Sequence, residues 1–257
     1  MKITLLGTGT FYVSKIRSGP AYLLEVGSRK ILIDCGPGTL IRLSQIGLEP
    51  KDLDYIFVTH FHADHTTDLF ALQMNLRLDA FRVGAGSAYP VVYGPKGITD
   101  FTKKLSEVYQ LPGFDDWSEI KYIEYPETIA LDDGLVIQPF QVQHVAFGKV
   151  ADAYSLRFEH EDRVLTLSGD STKHQGVEDA AKNADVFICD TSSSKGKGSP
   201  AHMDTLEIGE IATSSGVKSV ILTHFYPRNE GVDLVSEVKE KYTGEVVRGE
   251  DFMEIEV

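Results

Sequence analysis

Cysteine is almost missing from this chain: Cys35 and Cys189 are its only two, and neither belongs to a Cys-x-x-Cys pair. That excludes a disulfide framework and a cysteine-ligated zinc ribbon, and both thiols read as buried and free. No apolar run approaches the ~20 residues of a membrane-spanning helix. The opening stretch Met1 to Thr10 is broken by Gly7 and Gly9 and is too short for a signal-peptide core. The expectation is a cytoplasmic protein with no membrane partner. Positive charge is also scarce, since 25 Lys and Arg face 38 Asp and Glu for a net charge of -13. Affinity for nucleic acid rests largely on Lys and Arg neutralising phosphates, so large RNA is disfavoured unless a local basic rim overrides the total. Low-complexity tracts and internal repeats do not occur. Gly7-Thr8-Gly9 is no dinucleotide fingerprint, because Tyr12 replaces the third glycine and no βαβ unit follows. A Gly-x-Ser-x-Gly elbow is absent as well.

What remains is a 257-residue chain with 42% hydrophobic residues, enough to bury a full core, and it reads as one domain over residues 1–257. Glycine-bounded apolar runs at Lys2 to Leu6, Ala21 to Val26 and Lys30 to Ile33 predict an antiparallel opening meander. Further strands are predicted at Tyr55 to Val58, Val91 to Tyr93, Leu135 to Val142, Ala153 to Phe158, Val164 to Leu167, Val186 to Cys189 and Val217 to Leu222. Helices are predicted at Thr39 to Ile46, Thr67 to Leu78, Thr99 to Tyr109, Gln175 to Lys182, Thr205 to Ser215 and Leu234 to Tyr242. Two batches of strands, each followed by helices, imply an α/β fold: an αββα sandwich of two mixed sheets flanked by helices.

Residues with chemical character fall just after strands: His60, His144, Asp170 and His224. Loops at one edge of a rigid sheet pair can bring such side chains to one site. Three of the eight histidines fall within the segment His60-Phe61-His62-Ala63-Asp64-His65. Residues two apart in extended chain share a side, so His60 and His62 can grip one ion. Asp64 and His65, where the chain turns into a helix, are free to face a second. Metal pairs about 3.5–4 Å apart are a known hydrolytic arrangement. His160 and His174, in polar stretches, read as ordinary surface residues.

The full pattern His-x-His-x-Asp-His, followed by His144, Asp170 in Leu167-Ser168-Gly169-Asp170-Ser171, and His224 in Leu222-Thr223-His224-Phe225, resembles the metallo-β-lactamase superfamily. Leu6-Gly7-Thr8-Gly9-Thr10 and Ile33-Asp34-Cys35-Gly36 extend the resemblance over nearly the whole chain. It implies two divalent metal ions, with His60, His62 and His144 on the first, Asp64, His65 and His224 on the second, and Asp170 bridging. Zinc suits such ligands best, with manganese or iron as alternatives. Asp34 is expected either to orient a ligand histidine or simply to form a strand-end turn.

Ala201-His202-Met203-Asp204-Thr205 resembles the ribonuclease Z branch, which cleaves phosphodiesters with a histidine backed by a glutamate. His202 matches that histidine, and Asp190 in Cys189-Asp190-Thr191-Ser192 stands in the glutamate's place. Enzymes of that branch carry an arm that grips transfer RNA, commonly between the third histidine region and the bridging aspartate; only 26 positions separate His144 from Asp170 here. The expectation is therefore a phosphodiesterase acting on a small phosphodiester. A metal-bridging hydroxide would attack phosphorus, with Asp64, His202 and Asp190 in the catalytic set and His202 as general acid. The alternatives are a ribonuclease Z-type transfer-RNA 3'-end endonuclease and a carbonyl ester, lactone or β-lactam hydrolase using the same two ions. The resemblance also implies a possible homodimer. The small, basic stretch Thr191 to Pro200 reads as a flexible loop or lid from which Lys195 or Lys197 can reach a phosphate.

Overall fold

The predicted strands are predominantly apolar, and Tyr55 to Val58, Val91 to Tyr93 and Val186 to Cys189 are so at every position, which suits strands covered on both faces. In the computed structural model, which describes residues 1–83, 89–109 and 120–257, they form two seven-stranded sheets. The first runs β14 (Glu254–Glu256), β1 (Lys2–Gly7), β2 (Ala21–Val26), β3 (Arg29–Ile33), β4 (Tyr55–Phe57), β5 (Val91–Gly94), β6 (Tyr122–Glu124). The second runs β13 (Glu245–Arg248), β12 (Ser219–Thr223), β11 (Val186–Asp190), β10 (Arg163–Leu167), β9 (Lys149–His160), β8 (Val136–Ala146), β7 (Ile129–Ala130). Each is mixed in the same way. Pairing is antiparallel from β14 to β3 and from β7 to β10, and parallel from β3 to β6 and from β10 to β13.

The two-residue period of a strand sorts side chains between two apolar layers. In β3, Ile31 and Ile33 enter the core between the sheets, whereas Leu32 faces the helices α1 (Thr39–Gln45), α3 (Leu69–Val83) and α4 (Ile98–Val108). In β11, Val186 and Ile188 point between the sheets. Phe187 and Cys189 meet α5 (Gln175–Ala181), α6 (Thr205–Ser214) and α7 (Leu234–Lys239). The αββα layering follows. Phe57 joins the sheets: it stacks on Tyr93 in its own sheet at 5.1 Å and meets Phe158 of the other edge-on at 5.8 Å. Truncating this buried ring to alanine costs about 3–5 kcal/mol.

The opening meander, both thiols and all six helices stand close to their predicted places. A four-residue α2 (Ala63–Thr66) precedes α3 as a separate turn. Two expectations change. The strands around 135–158 are longer than the apolar pattern, pairing without a break from Val136↔Glu159 to Ala146↔Lys149. The turn between them has left-handed backbone at Phe147 (φ 52) and Gly148 (φ 73), the conformation that matches strand twist in a two-residue hairpin. His144 therefore lies inside β8 rather than after it. Strands β6, β7, β13 and β14 were not foreseen, and they are the four sheet edges. Among the described residues no helix is long and apolar enough to cross a membrane.

Candidate metal centre

Open α/β sheets place their sites at the carboxyl ends of parallel strands. Here Asp34 follows β3, the segment from His60 to His65 follows β4, Asp170 follows β10, Asp190 ends β11 and His224 follows β12. β8 runs in the same direction as β10, two antiparallel steps away, and delivers His144 to the same rim. Backbone conformation tightens the rim. Asp34 (φ 57) and His224 (φ 60) are left-handed without being glycine, and such residues cluster where function demands them. Gly36 lets its loop cross the backbone of Asp64, since a Cβ there would stand 2.0 Å from the Asp64 carbonyl oxygen.

The structure brings all nine predicted site residues together, and their ligand atoms fall into three groups, the last two sharing Asp170 and His224. These are His60, His62 and His144; Asp64, His65, Asp170 and His224; and Asp170, Asp190, His202 and His224. Atoms within each group lie within 4.8 Å of one another. His60 and His62 sit in extended chain beyond the end of β4, with ring centroids 4.6 Å apart. The short helix α2 redirects Asp64 and His65 to the second group.

The outer hydrogen bonds fix how each ring is presented. Thr59 Oγ1 donates its one proton to Asp34 at 2.9 Å, so it accepts from His60 Nδ1 at 3.1 Å. His65 Nδ1 donates to Asp34 Oδ2 at 2.7 Å, and His144 Nδ1 donates to the Ala201 carbonyl at 2.7 Å. Ser192 Oγ donates to Asp190 Oδ1 at 2.6 Å and accepts from His224 Nδ1 at 2.8 Å. Four imidazoles are thus held through Nδ1, with Nε2 facing inward. That is the presentation ligand histidines take when an outer partner fixes the tautomer. Nε2 of His60, of His65 and of His224 is buried without a hydrogen-bond partner. A buried nitrogen left in that state costs about 1–3 kcal/mol. These inward nitrogens beside the carboxylates of Asp64 and Asp170 make a donor set that fits divalent cations of the zinc class.

Electrostatics separate the groups. Burial, reinforced by His65, holds His60 well below the usual imidazole range, and burial and His144 lower His62. At His65 burial is outweighed by Asp170, Asp34 and Asp64, which hold it well above that range. At His224 burial is overcome by Asp170 and Asp190, and the ring is pushed up to about 10. Burial opposes ionisation of Asp170, yet His224 and His65 keep it well below the carboxylate range.

Beside the centre, His202 Nδ1 contacts Asp190 Oδ2 at 2.6 Å and comes within 4.0 Å of Asp170 Oδ2. Burial lowers the His202 pKa, but Asp190 outweighs it and the net shift is upward. Asp190 itself is held at about 2, its burial offset by His202 and His224. His202 caps no helix; Asp204 does that for α6, with Glu207 returning the bond. His174 does cap α5, as an ordinary surface histidine can. The stretch Thr191 to Pro200 is less free than its composition suggests: Thr191 to Ser194 are buried, Lys195 is paired with Glu240, and the Gly196 amide donates to Asp204. Unforeseen contributors are Thr59, Ser192 and the wall of a cleft of about 520 Å³ over the centre, which includes Phe11, Phe147 and Tyr226. A hydroxyl two residues after Asp190 was the one signal that pointed to Ser192. Phe147, 95% exposed, and Phe11, 51% exposed, are large apolar side chains at a rim with little to bury them.

A face-to-face sheet pair with histidines and aspartates gathered at one rim defines a class, that of hydrolases built to hold metal ions. The particular family follows from comparison: the beta-lactamase superfamily domain matches residues 29–225, and the chain belongs to that family. The probable metallo-hydrolase YhfI of Bacillus subtilis is 26% identical, over 96% of each chain. The crystal structure of the metallo-beta-lactamase fold protein YhfI superposes with a TM-score of 0.83 at 23% identity, covering 99% of both chains. Ribonuclease Z of Archaeoglobus fulgidus is 24% identical over 310 aligned positions that cover all of this chain and 97% of that one. Because this chain has only 257 residues, that relative carries stretches with no counterpart here.

Proposed function

We propose that residues 1–257 form one hydrolase domain that cleaves a small phosphodiester at a two-metal centre, with His202 protonating the leaving oxygen. In this reading His60, His62 and His144 would hold one ion, Asp64, His65 and His224 the other, and Asp170 would lie between them; zinc is the expected metal. Two divalent ions bound there would supply Lewis acidity and acidify a coordinated water.

The observation that carries the reading is the 2.6 Å contact between His202 and Asp190 at the wall of the cleft. An alkoxide leaving phosphorus needs a proton, and His202 stands at the cleft wall to supply it. Asp190 favours the charged form of His202 and, by engaging Nδ1, leaves Nε2 turned away from the carboxylate. Ser192 fixes the other oxygen of Asp190, so the carboxylate cannot rotate away from the imidazole. Phe11, Phe147 and Tyr226 offer apolar surface for the organic groups of the diester.

Leaving-group dependence tests this directly. His202→Ala should slow cleavage of a diester with an alkyl leaving group by about 10²–10⁴-fold. With bis(p-nitrophenyl) phosphate, whose leaving group needs little protonation, the loss should be far smaller. Equal losses on both would remove His202 from the acid role. A transfer-RNA endonuclease is the second reading, favoured by the relatives named ribonuclease Z. It is opposed by the net charge of -13 and by the stretches of that relative without counterpart here. Cleavage of precursor transfer RNA faster than of a dinucleotide would reverse the order.

A further inference from the structure

In a chain of net charge -13 most buried or half-buried cations are matched: Arg17 with Glu230, Arg29 with Asp132 and Asp133, Arg42 with Asp251. Lys197 and Arg228 are both exposed and stand apart from these pairs. Neither forms an ion pair among the described residues, and both line one cavity of about 400 Å³ together with Ser193, Ser194, Asn229 and Val232. Ser193 and Ser194 are buried, and neither hydroxyl has a hydrogen-bond partner among the described residues. Arg228 is held in place, with its guanidinium 4.4 Å over the Tyr226 ring and one nitrogen 3.3 Å from the Ser192 carbonyl. Asn229 is buried and donates to the carbonyls of Thr191 and Ser192 at 3.1 and 3.0 Å.

We propose that this cavity is a second anion site, distinct from the metal centre, that takes a phosphate monoester group. A guanidinium and an ammonium supply charge and directed donors, and two free hydroxyls supply the neutral donors that a multi-oxygen anion uses. A large negative net charge makes an unpaired cation pair in one concavity the natural local attractor for such a group. The cavity also adjoins the reaction machinery. Arg228 and Asn229 hold the Ser192 carbonyl, and the Ser192 hydroxyl holds Asp190 and His224. Two sources share this chemistry: a terminal phosphate of the substrate itself, or free phosphate.

Calorimetric titration of the metal-loaded protein with inorganic phosphate tests the site without relying on turnover. Wild type should show two binding events, one at the metals and one at the cavity, and Lys197→Gln should weaken the second by about tenfold or more. Arg228→Gln should do the same. Lys197→Glu, an exposed substitution expected to leave melting nearly unchanged, carries the test alone if Arg228→Gln unfolds. Wild-type titrations in all folded variants would overturn the proposal. The dinucleotides pTpT and TpT, which differ only in the terminal phosphate, then separate the sources. This arm rests on the phosphodiesterase reading. A kcat/KM preference for pTpT that Lys197→Gln erases identifies the substrate's own phosphate. No preference, with the second calorimetric event intact, identifies free phosphate; no turnover of either fails the phosphodiesterase reading and leaves the anion site standing.

Discussion

The two halves of the candidate centre are built from the same six-residue segment but differ in charge. His60, His62 and His144 form a group of imidazoles alone, and His60 and His62 are lowered by burial and by neighbouring imidazoles. Asp64, His65, Asp170 and His224 form a group whose carboxylates push both imidazoles upward. A cation in the first group would meet lone pairs, and one in the second would meet net negative charge. Ligand softness makes this a difference in metal preference: imidazole suits zinc, and carboxylate tolerates manganese. The contrast arises where α2 begins, because the turn between His62 and Asp64 sends neighbouring residues to opposite sides.

Four substitutions break or sharpen that contrast, beginning with the carboxylate that faces both groups. Asp170→Asn should lower turnover by on the order of 10³-fold or more and reduce metal content in both groups, with the fold intact by circular dichroism. Retention of two ions would remove Asp170 from its bridging place. Next is Asp190→Asn, which acts directly on His202 and reaches the second group only at His224, whose Nδ1 faces Asp190 and Ser192. The pKa of His202 is raised in the fold, so its proton persists above the usual imidazole range and activity should fall as pH rises through that raised value. Without the Asp190 charge the alkaline limb of the pH–rate profile should move to lower pH, with kcat reduced about 10–100-fold. An unmoved limb would assign it to another group.

Asp34→Asn is aimed at one half. Its carboxylate receives the His65 Nδ1 proton, so metal affinity of the carboxylate-bearing group should fall about 10–100-fold. The imidazole group reaches Asp34 only through Thr59 and should change far less, giving two resolved steps in a metal titration. Uniform weakening of both steps would erase the distinction. Smallest is Phe11→Ala at the cleft wall, expected to raise KM for an aryl diester about threefold while kcat stays put, as loss of one exposed apolar contact would.

What was legible in the sequence, and what was not, follows from range. His60, His62, Asp64 and His65 stand in one short segment, so their chemistry is visible locally. His144, Asp170 and His224 became visible because each follows or occupies a strand that aims it at the same rim. The edge strands β6, β7, β13 and β14 were illegible, since edges are short and carry charge to discourage pairing with other chains. Their strand state comes from the neighbour each pairs with, not from its own pattern. The reach of β8 to Ala146 escaped notice for a similar reason, because its outer part is a two-stranded ribbon with little apolar alternation. Ser192 and Thr59 were missed because a hydroxyl's role depends on what folds against it. Each holds a carboxylate and a histidine from different parts of the chain.

In the proposed reading, two unlike groups act together on a phosphodiester. Stepwise zinc addition to the metal-free protein, with bis(p-nitrophenyl) phosphate turnover followed at each step, tests it most directly. Activity should stay low through the first equivalent and rise with the second. Full activity at one equivalent, or none with both ions bound, would contradict the claim.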